Sequence, residues 1–191
     1  NYIAGARIRC YTASRAFVQF VLCIIQSAIL TLSYVGVAIV YGNELPETGI
    51  LTNYPMVEFY ISIFLLMYAA DAMGIMISCL VKKEEAANVL APYILIVQLI
   101  FSGILFAMEG MADYISYVMI SRWGMEALGS IANLNDLPLK IQMTVPTVPH
   151  EFESRFDSTP EHLLTVWAVL FGFIVVFLLV GNILLHRVSK D

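Results

Sequence analysis

Four apolar stretches, each long enough to cross a bilayer, divide this chain at residues 16–41, 58–81, 86–108 and 163–185. A run of about 18 or more predominantly apolar residues reads as a membrane-spanning helix, because every backbone polar group must be satisfied inside the segment. The composition agrees. Of 191 residues, 60% are hydrophobic and 13% charged, whereas an average soluble domain has about 45–50% apolar and about 25% charged residues. The fold class expected is all-α: a polytopic membrane protein with four transmembrane helices in a single domain over residues 1–191.

Several function classes fall away. The net charge of −5 comes without a basic patch interleaved with aromatics, so no nucleic acid is expected as a partner. Cys10, Cys23 and Cys79 follow no metal spacing and lie in or beside the apolar runs. There is no Asn-x-Ser/Thr acceptor and no cleavable signal peptide. The first residue is Asn1 rather than Met, so a longer parent chain is expected. No GxxxxGK[ST] loop is present to hold ATP, and no HExxH to hold zinc. His150, His162 and His186 are far apart and outside the spans, which leaves no Ser/His pair for intramembrane proteolysis. Only one acid, Asp71, lies centrally in a span, where an aspartyl protease needs two. No catalytic residue, cofactor site or metal site is expected in this chain.

Basic residues set the orientation. Arg7, Arg9 and Arg15 precede the first span, Lys82 and Lys83 sit between the second and third, and Arg187 and Lys190 follow the fourth. The loop from Gly42 to Pro55 has no Lys or Arg and carries Glu44 and Glu47. The positive-inside rule therefore puts both termini and the KKEE turn in the cytoplasm, and the segment 109–161 outside.

Inside the spans a few polar groups stand out. A charge at the bilayer centre costs roughly 2.5–3.5 kcal/mol, so Asp71 is expected to face protein or a water-filled cavity. Ala70, Gly74 and Ser78 form a small-xxx-small ridge beside it, which lets helices approach closely. Asp71 reads either as an ion or substrate-path group or as a helix–helix hydrogen bond. No second intramembrane acid or base is present to make a relay. Gln19, Gln26 and Ser33 recur every seven residues along the first span, and Gln98 and Ser102 are four apart in the third. Both stripes read as helix packing or as the lining of a translocation path. The fourth span, interrupted by little beyond Gly172, Gly181 and Asn182, reads as lipid-facing.

After the third span, GILFAMEGMADYISYVMISRWGMEALGSIANLND is too polar to span and too rich in Met, Ile, Tyr and Trp for a free loop. Residues Met111 to Asn133 are expected to form one or two short helices dipping into the outer leaflet, with Glu109, Arg122 and Glu126 near the external mouth. The remainder, with four prolines, reads as an irregular external cap.

GARIRCYTASR, AMGIMISCLVKKEEAANVLAP, QLIFSGILF and SRWGMEALG follow one another along the chain, and in that order they resemble the permease domain of the ABC transporter type-2 family, in particular its G-subfamily-like exporters. GARIRCYTASR (Gly5 to Arg15) is similar to that family's cytoplasmic coupling helix, with Tyr11 and Arg15 on its tyrosine and basic positions. AMGIMISCLVKKEEAANVLAP (Ala72 to Pro92) is similar to its GLLIS…L-x-P passage, and QLIFSGILF (Gln98 to Phe106) to its Q-x-LFSG segment. Val97 departs from the proline common there. SRWGMEALG (Ser121 to Gly129) is similar to the SR(Y/W)-x-x-EAL of the re-entrant loop.

The resemblance implies a cytoplasmic coupling helix at 1–15, in which Tyr2, Arg7, Arg9, Tyr11 and Arg15 contact an ABC ATP-binding domain or subunit. ATP and Mg are expected on that partner. It also implies two further spans upstream, a second permease copy and an exported substrate of unspecified class crossing at the interface between the two copies; Gln19, Gln26, Asp71, Gln98 and Ser102 are the candidates for lining that path or for helix packing, and Arg122 and Glu126 the candidates for an external gate. Relatives from eukaryotes often carry cysteines in the large external loop; this loop has none, which points to a bacterial cell membrane. A secondary transporter or channel subunit using Asp71 as an ion site, and a non-transporting membrane anchor, are the alternatives. Neither accounts for the four motifs in order.

Overall fold

The computed structural model describes residues 8–42, 45–46, 48–81, 84–103, 110–136 and 153–188. Among them every regular element is helical: α1 Ile8–Tyr41, α2 Pro55–Leu80, α3 Glu84–Ile100, α4 Met111–Ser116, α5 Ile120–Ile131, a 3₁₀ turn Ser154–Phe156 and α6 Pro160–Val188. Local chemistry sets the ends. Gly42, at φ +68°, follows α1 in the left-handed conformation that glycine adopts without penalty. Pro55 opens α2, where a missing N–H costs nothing.

Among the described residues three helices are long and apolar enough to cross a membrane, at Ala13–Tyr41, Pro55–Leu80 and Pro160–Leu184. The apolar run expected to give a third span over 86–108 contains α3, which has 17 residues and stops at Ile100. At 1.5 Å per residue, that helix is about 25 Å long, short of the roughly 30 Å hydrocarbon core. Gly103 then takes φ +82°, and residues 104–109 lie outside the described set. The start of the chain differs from expectation too. A coupling helix over 1–15 and a span from 16 are predicted as separate pieces, but α1 runs unbroken from Ile8 through both.

α2 is the hub. It packs against α6, α1 and α5, while α3 packs more lightly, mainly on α2 and α5. The core lies between α2, α5 and α6: Ala69 and Ala72 meet Ile120, Ala127 and Ile131, and Leu163, Val166, Leu170 and Ile174 close it from α6. These last four fall on one helical stripe. α6 is therefore not simply lipid-facing as the sequence suggests. One stripe is core, Trp167 donates from Nε1 to Ser62 Oγ of α2 at 2.8 Å, and the opposite face, with Phe171, Val176 and Leu179, is exposed.

Candidate functional site

Three polar arrangements organise the bundle. The first is the seam between α1 and α2. Cys23 Sγ donates to Asp71 Oδ2 at 2.9 Å, and Tyr68 donates to the Ala16 carbonyl at 3.3 Å. Phe20 lies edge-on to both Phe64 and Tyr68. Asp71 is half-buried and Cys23 fully buried. Asp71 is thus a contact between helices in this fold. The buried face of α1 is Cys23, Ser27, Thr31 and Ala38. The stripe singled out in the sequence is on another side: Gln19 is half-buried, and Gln26 and Ser33 are exposed. The ridge expected to bring helices together, Ala70, Gly74 and Ser78, is exposed as well. A side chain added at Gly74 would meet nothing. Within this chain α2 makes its close contacts through Ala69 and Ala72 instead.

The second arrangement, at the start of α2, has no counterpart in the sequence reading. Glu58 is 0% exposed. Its carboxylate accepts from the N–H groups of Ile50 (2.9 Å), Leu51 (2.7 Å) and Thr52 (2.5 Å), and from the Thr52 hydroxyl (3.1 Å). An acid in the first turn is favoured by the partial positive charge of a helix N-terminus, and here the same acid ties down the preceding loop. Gly49 makes room for it: a Cβ there would clash with the Thr52 carbonyl and come 2.6 Å from Glu58 Oε1. The available signal was an acid one turn after a proline at a helix start, with glycine and threonine just upstream.

The third is a clasp built on Arg122. Its Nε donates to Glu126 Oε1 at 3.0 Å, one helical turn along α5. Its Nη1 donates to Asp113 Oδ1 at 2.7 Å, to the Asp113 carbonyl at 3.0 Å and to the Ser116 hydroxyl. The guanidinium lies 3.6 Å from the Tyr117 ring centroid, a favourable cation–π contact. Arg155, near the 3₁₀ turn's centre, reaches Asp113 Oδ1 at 3.3 Å. Burial works against the Arg122 charge, but the bond to Glu126 and the charges of Glu126 and Asp113 outweigh it and hold the guanidinium above its ordinary value. The sequence predicts Arg122 and Glu126 together at one mouth; the structure adds Asp113, Arg155 and Ser116. Arg122, Glu126, Asp113 and Arg155 border a cavity of about 470 Å³ that also takes in Trp123 and His162.

Gln98 links the α3 end to the rest. Its Oε1 accepts from the Ser121 N–H at 3.0 Å, its carbonyl accepts from the Ser121 hydroxyl, and its Nε2 lies 3.8 Å from Met73 Sδ. Ser102 is buried beyond the helix end, its hydroxyl on the Leu99 carbonyl. On the other side of the bundle, Leu30, Tyr34, Phe59, Leu66 and Leu128 line an apolar groove of about 490 Å³. The expected coupling residues are only partly visible. Tyr2 and Arg7 lie outside the described residues, Arg9 and Tyr11 are on α1 with side chains outside them, and Arg15 is exposed on α1. Among the described residues no group of three His, Cys, Asp or Glu is placed to hold a metal ion.

Comparison with known proteins gives two matches. A family model described as ABC-2 type transporter matches residues 4–132. The ABC transporter ATP-binding/permease protein Rv1747 of Mycobacterium tuberculosis is 27% identical over 166 residues, 85% of this chain and 17% of that protein's length. No solved structure matches.

Proposed function

The chain belongs to the ABC-2 type transporter family and is a multi-pass membrane component of a transporter, and from that premise we propose that it is the permease of an ATP-driven exporter. The family match carries the reading, because residues 4–132 include most of the expected coupling segment and every helix from α1 to α5. The relative that joins an ATP-binding and a permease part in one protein supports an ATP-binding partner here, fused or separate. ATP and Mg bind that partner.

On this reading both termini are cytoplasmic, the N-terminal segment with Tyr2, Arg7, Arg9, Tyr11 and Arg15 meets the ATP-binding domain, and a second permease copy completes the path. The exposed ridge on α2 and the exposed Gln26 and Ser33 are surfaces such an assembly would use. α5 acts as a re-entrant element. Gly124 abuts Leu66, eleven residues into α2 from Pro55 and so about 16 Å along that helix, deep enough to sit within one leaflet. Arg122 and Glu126 then form part of an external gate. Asp71 works as a packing residue next to the path, and its bond to Cys23 favours this over an ion site.

The test uses the assembled transporter with its ATP-binding partner in liposomes. Arg15→Glu together with Arg9→Glu is expected to lower the ATPase rate severalfold with ATP affinity unchanged. An unchanged rate sinks the coupling assignment. In whole cells, Glu153→Cys is expected to react with a membrane-impermeant maleimide from outside; protection there, with reaction only after lysis, reverses the topology.

A further inference from the structure

The cavity beside Arg122 has hydrogen-bonding capacity that the fold leaves unused. Glu126 is 4% exposed, and its bond to Arg122 engages Oε1 only; among the described residues no donor reaches Oε2. Arg122 is 3% exposed, and its bonds leave from Nε and Nη1, so Nη2 has no acceptor among the described residues. Buried polar groups without partners cost free energy that a bound molecule recovers. Both side chains line the cavity. His162 brings a further acceptor: its Nε2 lies 2.9 Å from the Arg155 carbonyl, so in the neutral ring that nitrogen carries the hydrogen and Nδ1 keeps its lone pair.

Charge and surroundings define the ligand. The wall sets Arg122 and Arg155 against Asp113 and Glu126, a balance that favours neither an anion nor a cation but suits a molecule carrying both charges. α4, which supplies Asp113 to the cavity, also carries Met111 and Tyr114, 84% and 77% exposed. A polar cavity beside an exposed apolar ledge matches a lipid, with its headgroup inside and its chains along the ledge. At about 470 Å³ the cavity falls in the range of ordinary ligand sites.

We propose that this cavity binds the headgroup of a lipid that joins a phosphate to a primary ammonium, with the phosphate on Arg122 and Arg155 and the ammonium on Glu126 Oε2. A quaternary ammonium has no N–H and leaves that oxygen unsatisfied. The assignment rests on the membrane placement of the family, and is independent of the direction of transport and of the ATP-binding partner.

Native mass spectrometry of the intact transporter, stripped of lipid and titrated with phosphatidylethanolamine or phosphatidylcholine of identical chains, tests it without nucleotide. Retention of phosphatidylethanolamine is expected to exceed that of phosphatidylcholine by about tenfold, the worth of one hydrogen bond to a charged group. In Glu126→Gln, which keeps the shape but loses the charge, the preference collapses. Should that variant fail to fold, stepwise N-methylation of the headgroup gives the same reading on the wild type, with retention falling at the fully methylated lipid. Equal retention of the two lipids, a preference unchanged in Glu126→Gln, or a cavity that holds only water overturns the proposal. Displacement by soluble phosphoethanolamine at the concentration at which the lipid itself binds overturns the lipid as the source.

Discussion

Asp71 shows how a single acid is accommodated in an apolar helix: a neighbouring thiol donates to it and α1 covers part of it. Its amide analogue retains an acceptor oxygen. Asp71→Asn is therefore expected to assemble and to transport at near wild-type rate. A correctly folded but inactive variant, judged by thermal unfolding alongside transport, would mean that the charge itself is needed. Glu58 is the stronger anchor. Glu58→Ala removes the acceptor of three N–H groups, and since the loop can recruit water the expected loss is about 2–4 kcal/mol, visible as a lower Tm and as new protease cleavage within residues 48–54. Gly49→Val is expected to reproduce the loop cleavage through backbone crowding. Asp71 was legible in the sequence because a charge in a span demands a partner. Glu58 was not, since an acid at a span boundary looks like any interfacial acid, and only the folded loop shows which N–H groups converge on it.

At the scale of elements, α4 and α5 are held as a unit by Arg122, and lysine cannot replace it. Lysine has one ammonium where arginine engages Nε and Nη1 separately and lays a planar face on Tyr117. Asp113 keeps Arg155 as a partner, so Arg122→Lys is costly where the lysine fails to hold Glu126, the buried partner; breaking such a buried pair typically costs about 3–5 kcal/mol. Hydrogen exchange is expected to rise across residues 111–131 and to stay unchanged in α6. Because the Arg122 charge is held above its ordinary value, its stabilising effect is complete below the unfolded-state value and is lost only as pH rises through the still higher folded value, so between pH 5 and pH 9 it contributes no slope. Gln98→Ala is expected to free α3 from α5 and raise exchange over 84–100 selectively. Composition, too polar to span and too rich in Met, Ile, Tyr and Trp for a free loop, pointed to the short helices after the third apolar run, and the SRWGMEALG stretch placed Arg122 and Glu126 together. Sequence periodicity could not choose between stripes on α1 and α2. In a bilayer the lipid is as apolar as the core, so the Gln19, Gln26 and Ser33 stripe and the Ala70 ridge looked as suited to packing as the Cys23 and Ala69 faces that are used.

For the molecule as a whole, apolar run length was the legible quantity and connectivity in space was not. The runs gave the all-helical, multi-pass character. They did not reveal that α2 would be the hub, that α6 would supply a full core stripe, or that α3 would end at Ile100 and pack so lightly on its neighbours. The loosest helix and the tightest pair therefore sit in one chain, and relative motion is expected to divide α3 from the α2, α5 and α6 group. α1 bears on the same question. Its 34 residues make a rod about 51 Å long, well beyond the roughly 30 Å of hydrocarbon, with no proline within Ile8–Tyr41 to bend it. Such a rod behaves as a lever. Pivoting about its middle by about 10°, it carries each end through about 4 Å, in opposite directions. A sideways force on the end bearing Arg9 and Arg15 would arrive at Tyr41 reversed and nearly undiminished, with the seam at Cys23 and Asp71 close to the fulcrum.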